Sequence, residues 1–338
     1  MGKTMMPAAA VRRAWLIPTL ILLAAGLAVL SLATGQVPLS VGRVLTVLGG
    51  RGDAVAATIV LDLRLPRTLL ALGVGAILGL SGAVMQGYLR NPLAEPSVLG
   101  TSNAGALGAV IALYYGLDFA GGATLPLLSV AGAVAGLVPL MLIAGRTAGP
   151  LALILAGVAV SALAGAGISL ALNFAPNPFA AVEIMTWLMG SLEDRSFRHV
   201  AIAAPCLFVG AVLLAWDGRA LDALSLGEDA ARTLGVDLPA MRARMLAGLA
   251  IGIGGAVAVS GAIGFVGLIV PHLVRPLTDR APSSALLPSA LGGAVLLTAA
   301  DLLVRVVPTE QELRLGVVTA VLGVPVFLHH LLKERRGW

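Results

Sequence analysis

Long apolar runs, separated by short polar segments, follow one another along almost the whole chain. About 20 residues suffice for a helix to cross the hydrocarbon core of a bilayer, and open strands cannot span lipid. The pattern therefore predicts ten helical spans, at about 14–34, 66–89, 97–117, 123–145, 151–174, 197–216, 241–263, 264–278, 284–307 and 313–332. A shorter apolar stretch near 179–190 is expected to be re-entrant or interfacial. The two spans within 241–278 are separated only by Gly261-Ala262-Ile263-Gly264.

Composition excludes an ordinary water-soluble fold. Of the 338 residues, 58% are hydrophobic and 12% are charged, against roughly 25% charged in a soluble domain. Mean hydropathy is +0.98, so lipid must solvate most of the surface. We expect an all-α polytopic membrane protein whose residues 1–338 form a single transmembrane domain.

Glycine is frequent inside the apolar runs, with 42 residues in the chain. Small residues four positions apart let helix backbones approach each other in lipid, where close packing drives association. The pairs that follow this spacing predict close helix contacts, at Gly75/Gly79, Gly132/Gly136 and Gly248/Gly252.

Basic residues indicate the orientation of the chain. Lys3, Arg12 and Arg13 precede the first predicted span, and further basic residues follow the last one. The positive-inside rule then places both termini in the cytoplasm, which ten crossings allow. On this threading 14 of the 22 Lys and Arg residues are inside. Aromatic residues are only 4% of the chain, so we expect contact with membrane lipid and not with nucleic acid.

The spans offer little for ion coupling, catalysis or metal binding. The four histidines, His199, His272, His329 and His330, all fall near span ends, and no spacing is typical of a metal site. Asp301 lies four residues before Arg305, a favourable order for a local ion pair. A lone cysteine excludes an intrachain disulfide. We therefore expect no metal and no catalytic residue in this chain, and a cargo that is already chelated.

The chain is also expected to carry no nucleotide site. Gly2-Lys3-Thr4 resembles the end of a phosphate-binding loop, but the first glycine of that motif would precede Met1. Energy for transport would then come from another chain.

Three longer segments stand out from the apolar background. The first runs from Arg64-Leu65-Pro66-Arg67-Thr68 through Gly82-Ala83-Val84-Met85-Gln86 to Arg90-Asn91-Pro92-Leu93-Ala94-Glu95-Pro96 and Leu99-Gly100-Thr101-Ser102-Asn103. The second is Leu226-Gly227-Glu228-Asp229-Ala230-Ala231-Arg232-Thr233-Leu234-Gly235-Val236. The third is Gly261-Ala262-Ile263-Gly264-Phe265-Val266-Gly267-Leu268-Ile269-Val270-Pro271-His272.

With these segments in this order, the chain closely resembles the permease subunits of ATP-binding-cassette (ABC) importers for iron-siderophores, haem and vitamin B12. The resemblance covers about residues 55 to 332 and includes Gly316-Val317-Val318-Thr319-Ala320 and Gly323-Val324-Pro325-Val326-Phe327. It implies the type II permease fold, with ten helices per subunit, in a bacterial inner membrane. It also implies a second permease copy or paired half, two cytoplasmic ATPase subunits that hold ATP and Mg, and an external substrate-binding protein.

The second segment predicts a short amphipathic helix within about 225–237. Ala230, Ala231 and Leu234 fall on one helical face, and Glu228 and its charged neighbours fall on the other. The resemblance implies that this helix couples the permease to the ATPase. Its coupling residues would be Gly227, Glu228, Ala230, Ala231, Leu234 and Gly235.

The resemblance also implies functions for residues outside the coupling segment. Arg64, Arg67 and Arg305 match arginines that dock the binding protein, although they could instead pair locally, Arg64 with Asp62 and Arg305 with Asp301. The fifth and tenth spans would border the translocation path, with Ser161, Ser169 and Asn173 near the cavity. One departure from the family pattern is Arg314, which stands where a proline is usual and could alter the outer rim.

These observations predict a non-enzymatic permease that passes a metal chelate from an external binding protein to the cytoplasm. A ferric siderophore or haem is the first expectation, because iron complexes are the commonest cargo of the family. Cobalamin is the alternative within the same family. An ATP-independent secondary transporter is the alternative of another class, and the scarcity of charge within the spans disfavours it.

Overall fold

A computed structural model describes residues 8–120, 122–145, 149–307 and 313–335. This part of the chain is helical and contains no strand. The Gly2-Lys3-Thr4 motif lies outside the described residues. The helices are α1 (Ala8–Ala33), α2 (Val41–Leu48), α3 (Ala54–Ala57), α4 (Leu65–Tyr88), α5 (Thr101–Tyr115), α6 (Thr124–Ala135), α7 (Leu137–Ala144), α8 (Pro150–Asn173), α9 (Pro178–Leu188), α10 (Phe197–Trp216), α11 (Gly218–Leu224), α12 (Glu228–Thr233), α13 (Leu238–Ser260), α14 (Val266–Val274), α15 (Pro282–Val306) and α16 (Leu315–Arg335).

Every predicted span is helical in the structure. Within the described residues, seven helical segments are long and apolar enough to cross a membrane: Trp15–Ala33, Ala54–Tyr88, Thr124–Ala144, Pro150–Asn173, Phe197–Trp216, Leu238–Ser260 and Pro282–Val306. The other three predicted spans contain α5, α14 and α16, of which α14, with nine residues, is too short on its own to cross a bilayer. The stretch expected to be re-entrant or interfacial forms α9, an 11-residue helix that is too short to cross a bilayer.

Two helices form the centre of the bundle. The most apolar 18-residue windows of the segments containing α4 and α13 are 78% buried within the chain, whereas that of α1 is 11% buried. The surface of α1 is therefore left for lipid. A π-helical turn, Thr58–Arg64, leads directly into α4.

The glycine pairs lie where helices touch, as their spacing predicts. A Cβ atom on Gly79 would lie 2.1 Å from the Ser289 carbonyl oxygen of α15, and one on Gly82 would lie 1.9 Å from the Gly267 oxygen of α14. A Cβ on Gly132 would similarly meet the backbone of α5. Only glycine permits these backbone approaches.

The predicted break between α13 and α14 is present and is held by contacts with two other segments. Gly261 has φ +69° and packs so closely on the Trp187 carbonyl that no side chain fits. Phe265 also has a positive φ, and its backbone N–H donates to Glu95 Oε1 at 2.7 Å. This buried helix start thus obtains its acceptor from a carboxylate in a distant loop.

Candidate functional site

At one end of the bundle, a buried ion-pair cluster joins α4 to α15. Arg67 Nε lies 2.9 Å from Asp301 Oδ1, and Arg305 pairs with the other oxygen of the same carboxylate. Only 1% of the Asp301 side chain is exposed, and Arg305 also donates to the Ser31 carbonyl at 3.0 Å. The predicted Asp301–Arg305 pair is therefore confirmed. Arg67 joins it from 234 positions away.

Arg64, at the same end, is bound by backbone carbonyls. Its Nη1 donates to the oxygens of Leu32 and Ala33, both at 2.9 Å, and the residue is 7% exposed. Since α1 ends at Ala33, the guanidinium satisfies carbonyls that a helix end leaves without partners. The local alternative of an Asp62 partner for Arg64 is wrong, because the side chain turns towards α1 instead.

These three arginines contribute to a cavity of about 430 Å³. Asp62, Glu193, Asp194 and Arg195 also line it. The Nε of Arg195 is buried and has no hydrogen-bond partner among the described residues. Burial lowers the pKa of the Arg195 guanidinium, and the nearby carboxylates of Asp194 and Glu193 oppose that effect.

Sequence reasoning missed Arg195. Its only signal was the charged run Glu193-Asp194-Arg195 that follows the short apolar stretch. The three arginines that the sequence nominated make ion pairs or hydrogen bonds within the chain, and Arg195 adds a fourth guanidinium to the lining of the same cavity.

The unusual Arg314 has a partner near this cavity. Its Nη1 lies 3.2 Å from Glu193 Oε2. Beside the pair, Leu315 N–H donates to the Gly190 carbonyl at 2.9 Å, and Gly316 N–H donates to the Met189 carbonyl at 3.2 Å. Arg314 therefore fastens the start of α16 to the loop after α9.

The opposite end of the bundle carries α12, the predicted coupling helix. It covers only Glu228–Thr233, within the predicted 225–237. Gly227 precedes it with φ +112° and Gly235 follows it with φ +85°. Both conformations favour glycine, so the two turns depend on these residues.

The three residues of the predicted apolar face of α12 are covered to different extents. Ala231 is fully buried and Ala230 is half-buried, but Leu234 is 64% exposed. Leu234, which caps the helix, is therefore uncovered by the bundle, whereas its two predicted neighbours on the apolar face are wholly or partly covered. On the polar side, Arg232 pairs with Glu228 at 3.1 Å, as the spacing allows.

The turn before α12 adds a second uncovered leucine. Leu226 is 70% exposed and immediately precedes Gly227. Leu226 and Leu234 thus leave an uncovered leucine before and after α12, and exposed apolar side chains of this kind suggest a protein contact. Nothing in the described residues covers either leucine.

The predicted path residues lie along α8. Ser169 and Asn173 are exposed, and Ser161 is half-buried. Ala162 and Ala166 are exposed as well, and the four exposed residues are spaced four, three and four positions apart along α8. This spacing places them on one helical face, which therefore carries small and polar side chains. A comparable exposed line on α16 consists of Val317, Val321, Val324 and Leu328.

The chain is similar to known transport proteins along most of its length. The model of the FecCD transport family matches residues 21–333. The hemin transport system permease protein HmuU of Yersinia pestis is 39% identical over 287 residues, covering 81% of this chain and 83% of that protein. The Fe(3+) dicitrate transport system permease protein FecD of Escherichia coli is 39% identical over 313 residues, covering 92% and 96%.

Two further comparisons extend this similarity. The vitamin B12 import system permease protein BtuC of Salmonella paratyphi A is 38% identical over 292 residues, covering 86% of this chain and 87% of that protein. A solved metal-chelate type ABC transporter in an inward-facing conformation matches with a TM-score of 0.85 and 31% identity, covering 94% of this chain and 98% of that chain. These relatives are named for different cargoes, namely hemin, Fe(3+) dicitrate and vitamin B12.

Proposed function

Because this chain belongs to the FecCD transport family of ABC importer permeases, we propose that it moves a ferric siderophore or haem into the cytoplasm. As a member of this family it is a multi-pass membrane permease and not an enzyme, and ATP is hydrolysed by a separate subunit. Cobalamin is the alternative cargo, since a vitamin B12 permease is about as similar to the chain as the hemin permease.

One observation carries the mechanistic part of this proposal. A short helix bounded by Gly227 and Gly235 exposes Leu234 at the end of the bundle opposite the arginine-lined cavity. An ATP-independent carrier has no need of an uncovered apolar surface there. In our proposal, α12 is the coupling helix, and Leu226 and Leu234 contact one of two cytoplasmic ATPase subunits.

The neighbours of α12 would carry its movement into the bundle. Arg244, near the start of α13, pairs with Asp217 at 2.7 Å, and Arg242 Nε donates to the Tyr88 hydroxyl of α4 at 2.9 Å. Because Ala231 is buried and α12 packs on α11 and α13, a displacement of α12 would shift α13, and the Arg242–Tyr88 contact would carry that shift to α4. Rigid-body motion of packed helices is an established way to convert a local contact into a change of access.

The proposed docking of the binding protein involves the cavity at the Arg64 end. Arg67 and Arg305 would shape its floor, because Asp301 already holds them, and Arg64 would hold its rim against α1. Acidic side chains of a binding protein suit a guanidinium-lined depression, and such contacts set register and association rate. This end would face outwards, with both termini in the cytoplasm.

The translocation path would lie beside α8 and α16, at the interface with a second copy of the permease. The small and polar line that ends at Ser169 and Asn173 leaves room for a bulky chelate, and a two-fold axis places the same faces opposite each other. An Asn173→Cys variant in a Cys206→Ser background tests this arrangement. Disulfide cross-linking between copies supports the two-fold path. Efficient labelling of the introduced thiol by lipid-soluble thiol reagents only, without any disulfide between copies, contradicts the two-fold path.

The cargo is tested by uptake in cells that lack this permease but retain its ATPase and binding protein. Radiolabelled ferric siderophore, haem and cobalamin are offered in parallel, before and after the gene is restored. Restored uptake of an iron complex or haem supports the proposal, and cobalamin uptake alone selects the alternative. If none of the three is taken up, the chelate class is wrong.

The coupling function is tested in the same cells with Leu234→Glu. We expect this change to abolish uptake while the protein still inserts, because a carboxylate replaces an apolar contact. Asp229→Asn is the matched control, since the Asp229 side chain is fully exposed on the polar side of α12. Normal uptake by Leu234→Glu, or uptake that persists without the ATPase, would refute the proposed mechanism.

A further inference from the structure

A second cavity, also of about 430 Å³, lies at the α12 end of the bundle. It is formed where the end of α4, the end of α11 and the turn between α14 and α15 meet. Its lining residues are Gln86, Gly87, Arg90, Asp222, Ser225, Arg275, Asp279, Arg280, Ala281 and Pro282. The transport mechanism above assigns no function to this cavity.

Three arginines face this cavity without partners of their own. Among the residues that the structure describes, the side chains of Arg90, Arg275 and Arg280 make no hydrogen bond or ion pair. Arg275 is half-buried, so water compensates its charge only in part. A buried cation that lacks a counter-ion is unfavourable, and it favours the binding of an anion.

The carboxylates of the cavity are already in use. Asp222 accepts from the Ser283 N–H at 2.8 Å and from the Ser283 hydroxyl at 2.6 Å. Asp279 accepts from the Ala281 N–H at 3.1 Å and makes a further interaction. The chain's own acids are therefore committed to turns, and the guanidinium groups remain for a ligand.

The backbone at two of these arginines is unusual. Arg90 has φ +50° and Arg280 has φ +65°, in the left-handed region that side chains disfavour. Glycine would relieve both positions, yet both carry a long cationic side chain directed to one cavity. Sparsely populated backbone conformations are concentrated at ligand-binding positions.

The position of the cavity indicates what kind of anion it binds. It lies at the ends of apolar helices, next to Pro282, where α15 begins. Leu273 and Leu277, two residues to either side of Arg275, are 55% and 42% exposed. Cationic groups at the end of membrane helices, with exposed leucines in the same segment of the chain, match a phosphate group that carries acyl chains.

We propose that this cavity binds the phosphate head group of an anionic phospholipid, with Arg275 among its ligands and the acyl chains in the surrounding bilayer. The lipid would come from the cytoplasmic leaflet, a point that rests on the orientation given under the proposed function. Ser225 also lines the cavity and lies two residues before Gly227. A bound head group would therefore contact the turn that leads into the coupling helix.

The proposal is tested by native mass spectrometry of the purified permease in neutral detergent. Short-chain phosphatidylglycerol, phosphatidylcholine and inorganic phosphate are titrated separately into wild-type protein and an Arg275→Gln variant. We expect phosphatidylglycerol to bind selectively and Arg275→Gln to weaken that binding roughly fivefold, the effect of one basic residue near an anionic surface. Arg275→Lys, which keeps the charge, should recover much of the affinity and shows that a loss in Arg275→Gln is not misfolding.

Arg219→Gln is the matched control, because Arg219 is an exposed arginine of α11 at the same end that does not line the cavity. Equal binding of phosphatidylglycerol by Arg275→Gln and Arg219→Gln would overturn the proposal. Equally tight binding of inorganic phosphate would make this a free-anion site instead. The purified ATPase subunit is titrated in the same way. If its binding depends on Arg275 and no lipid is bound selectively, the occupant is a carboxylate of the partner protein. No arm requires transport, so failure here is distinct from failure of the proposed function.

Discussion

Replacement of Gly79 by alanine tests the close packing of α4 on α15. The added Cβ would lie 2.1 Å from the Ser289 carbonyl oxygen, 3.0 Å from its carbon and 3.2 Å from the Gly293 Cα. Ordinary contacts between such atoms are about 3.5 Å, so the two helices must separate by roughly 1 Å. The obstacle is helix backbone, which cannot rotate away as a side chain can.

The expected cost follows from two opposing effects. Overpacking of a tight interior costs about 1–3 kcal/mol, and a rigid obstacle favours the upper part of that range. Alanine recovers up to about 1 kcal/mol of helix propensity relative to glycine. We therefore expect Gly79→Ala to lower the free energy of unfolding by about 2 kcal/mol. Separation of the helices would also lengthen the 2.9 Å contact between Arg67 and Asp301.

Unfolding of the purified permease in detergent, followed by far-ultraviolet circular dichroism, measures this cost. Gly26→Ala in α1 is the matched control, because a Cβ added at Gly26 would meet no atom within 4 Å. That control should be neutral or stabilised by up to about 1 kcal/mol. If Gly79→Ala is as stable as Gly26→Ala, the close approach of α4 and α15 is not a determinant of stability.

Two further changes examine polar contacts. Asp301→Asn should destabilise the protein by about 3–5 kcal/mol in the same unfolding assay, because it leaves two buried arginines without their carboxylate. An unchanged stability together with lost uptake would instead indicate that the cluster only docks the binding protein. Asp53 has a lowered pKa because it accepts from the Ala56 N–H and, secondarily, pairs with Arg43. The stabilisation of α3 by ionised Asp53 is complete above the ordinary aspartate pKa near 4 and is lost as pH falls below that value. Hydrogen exchange of the α3 amides, corrected for intrinsic rate, should therefore accelerate below that pH, and Asp53→Asn should remove the pH dependence. Exchange that is independent of pH in the unmodified protein would contradict this prediction.

The helices themselves were predictable because lipid requires each backbone polar group to be satisfied within its own segment. Hydropathy along the chain therefore locates spans, and local spacing locates the break at Gly261 and the Asp301–Arg305 pair. Local spacing could not decide which side of α12 would be covered. Ala231 and Leu234 have similar positions in the periodic pattern, yet one is buried and the other is exposed, because α11 and α13 cover only one side.

Sequence alone thus determined the class of the protein, the approximate positions of its long apolar helices, and the residues that are charged at their ends, but not the short helices α2, α3 and α11 or the division of one predicted span into α6 and α7. Tertiary structure decided the partners of those charges. Arg67 reaches Asp301 across 234 positions, Arg64 turns to the end of α1, and the arginines around Arg275 converge from separate turns. Such contacts depend on how helices pack against one another, and no local periodicity records which helix will become a neighbour.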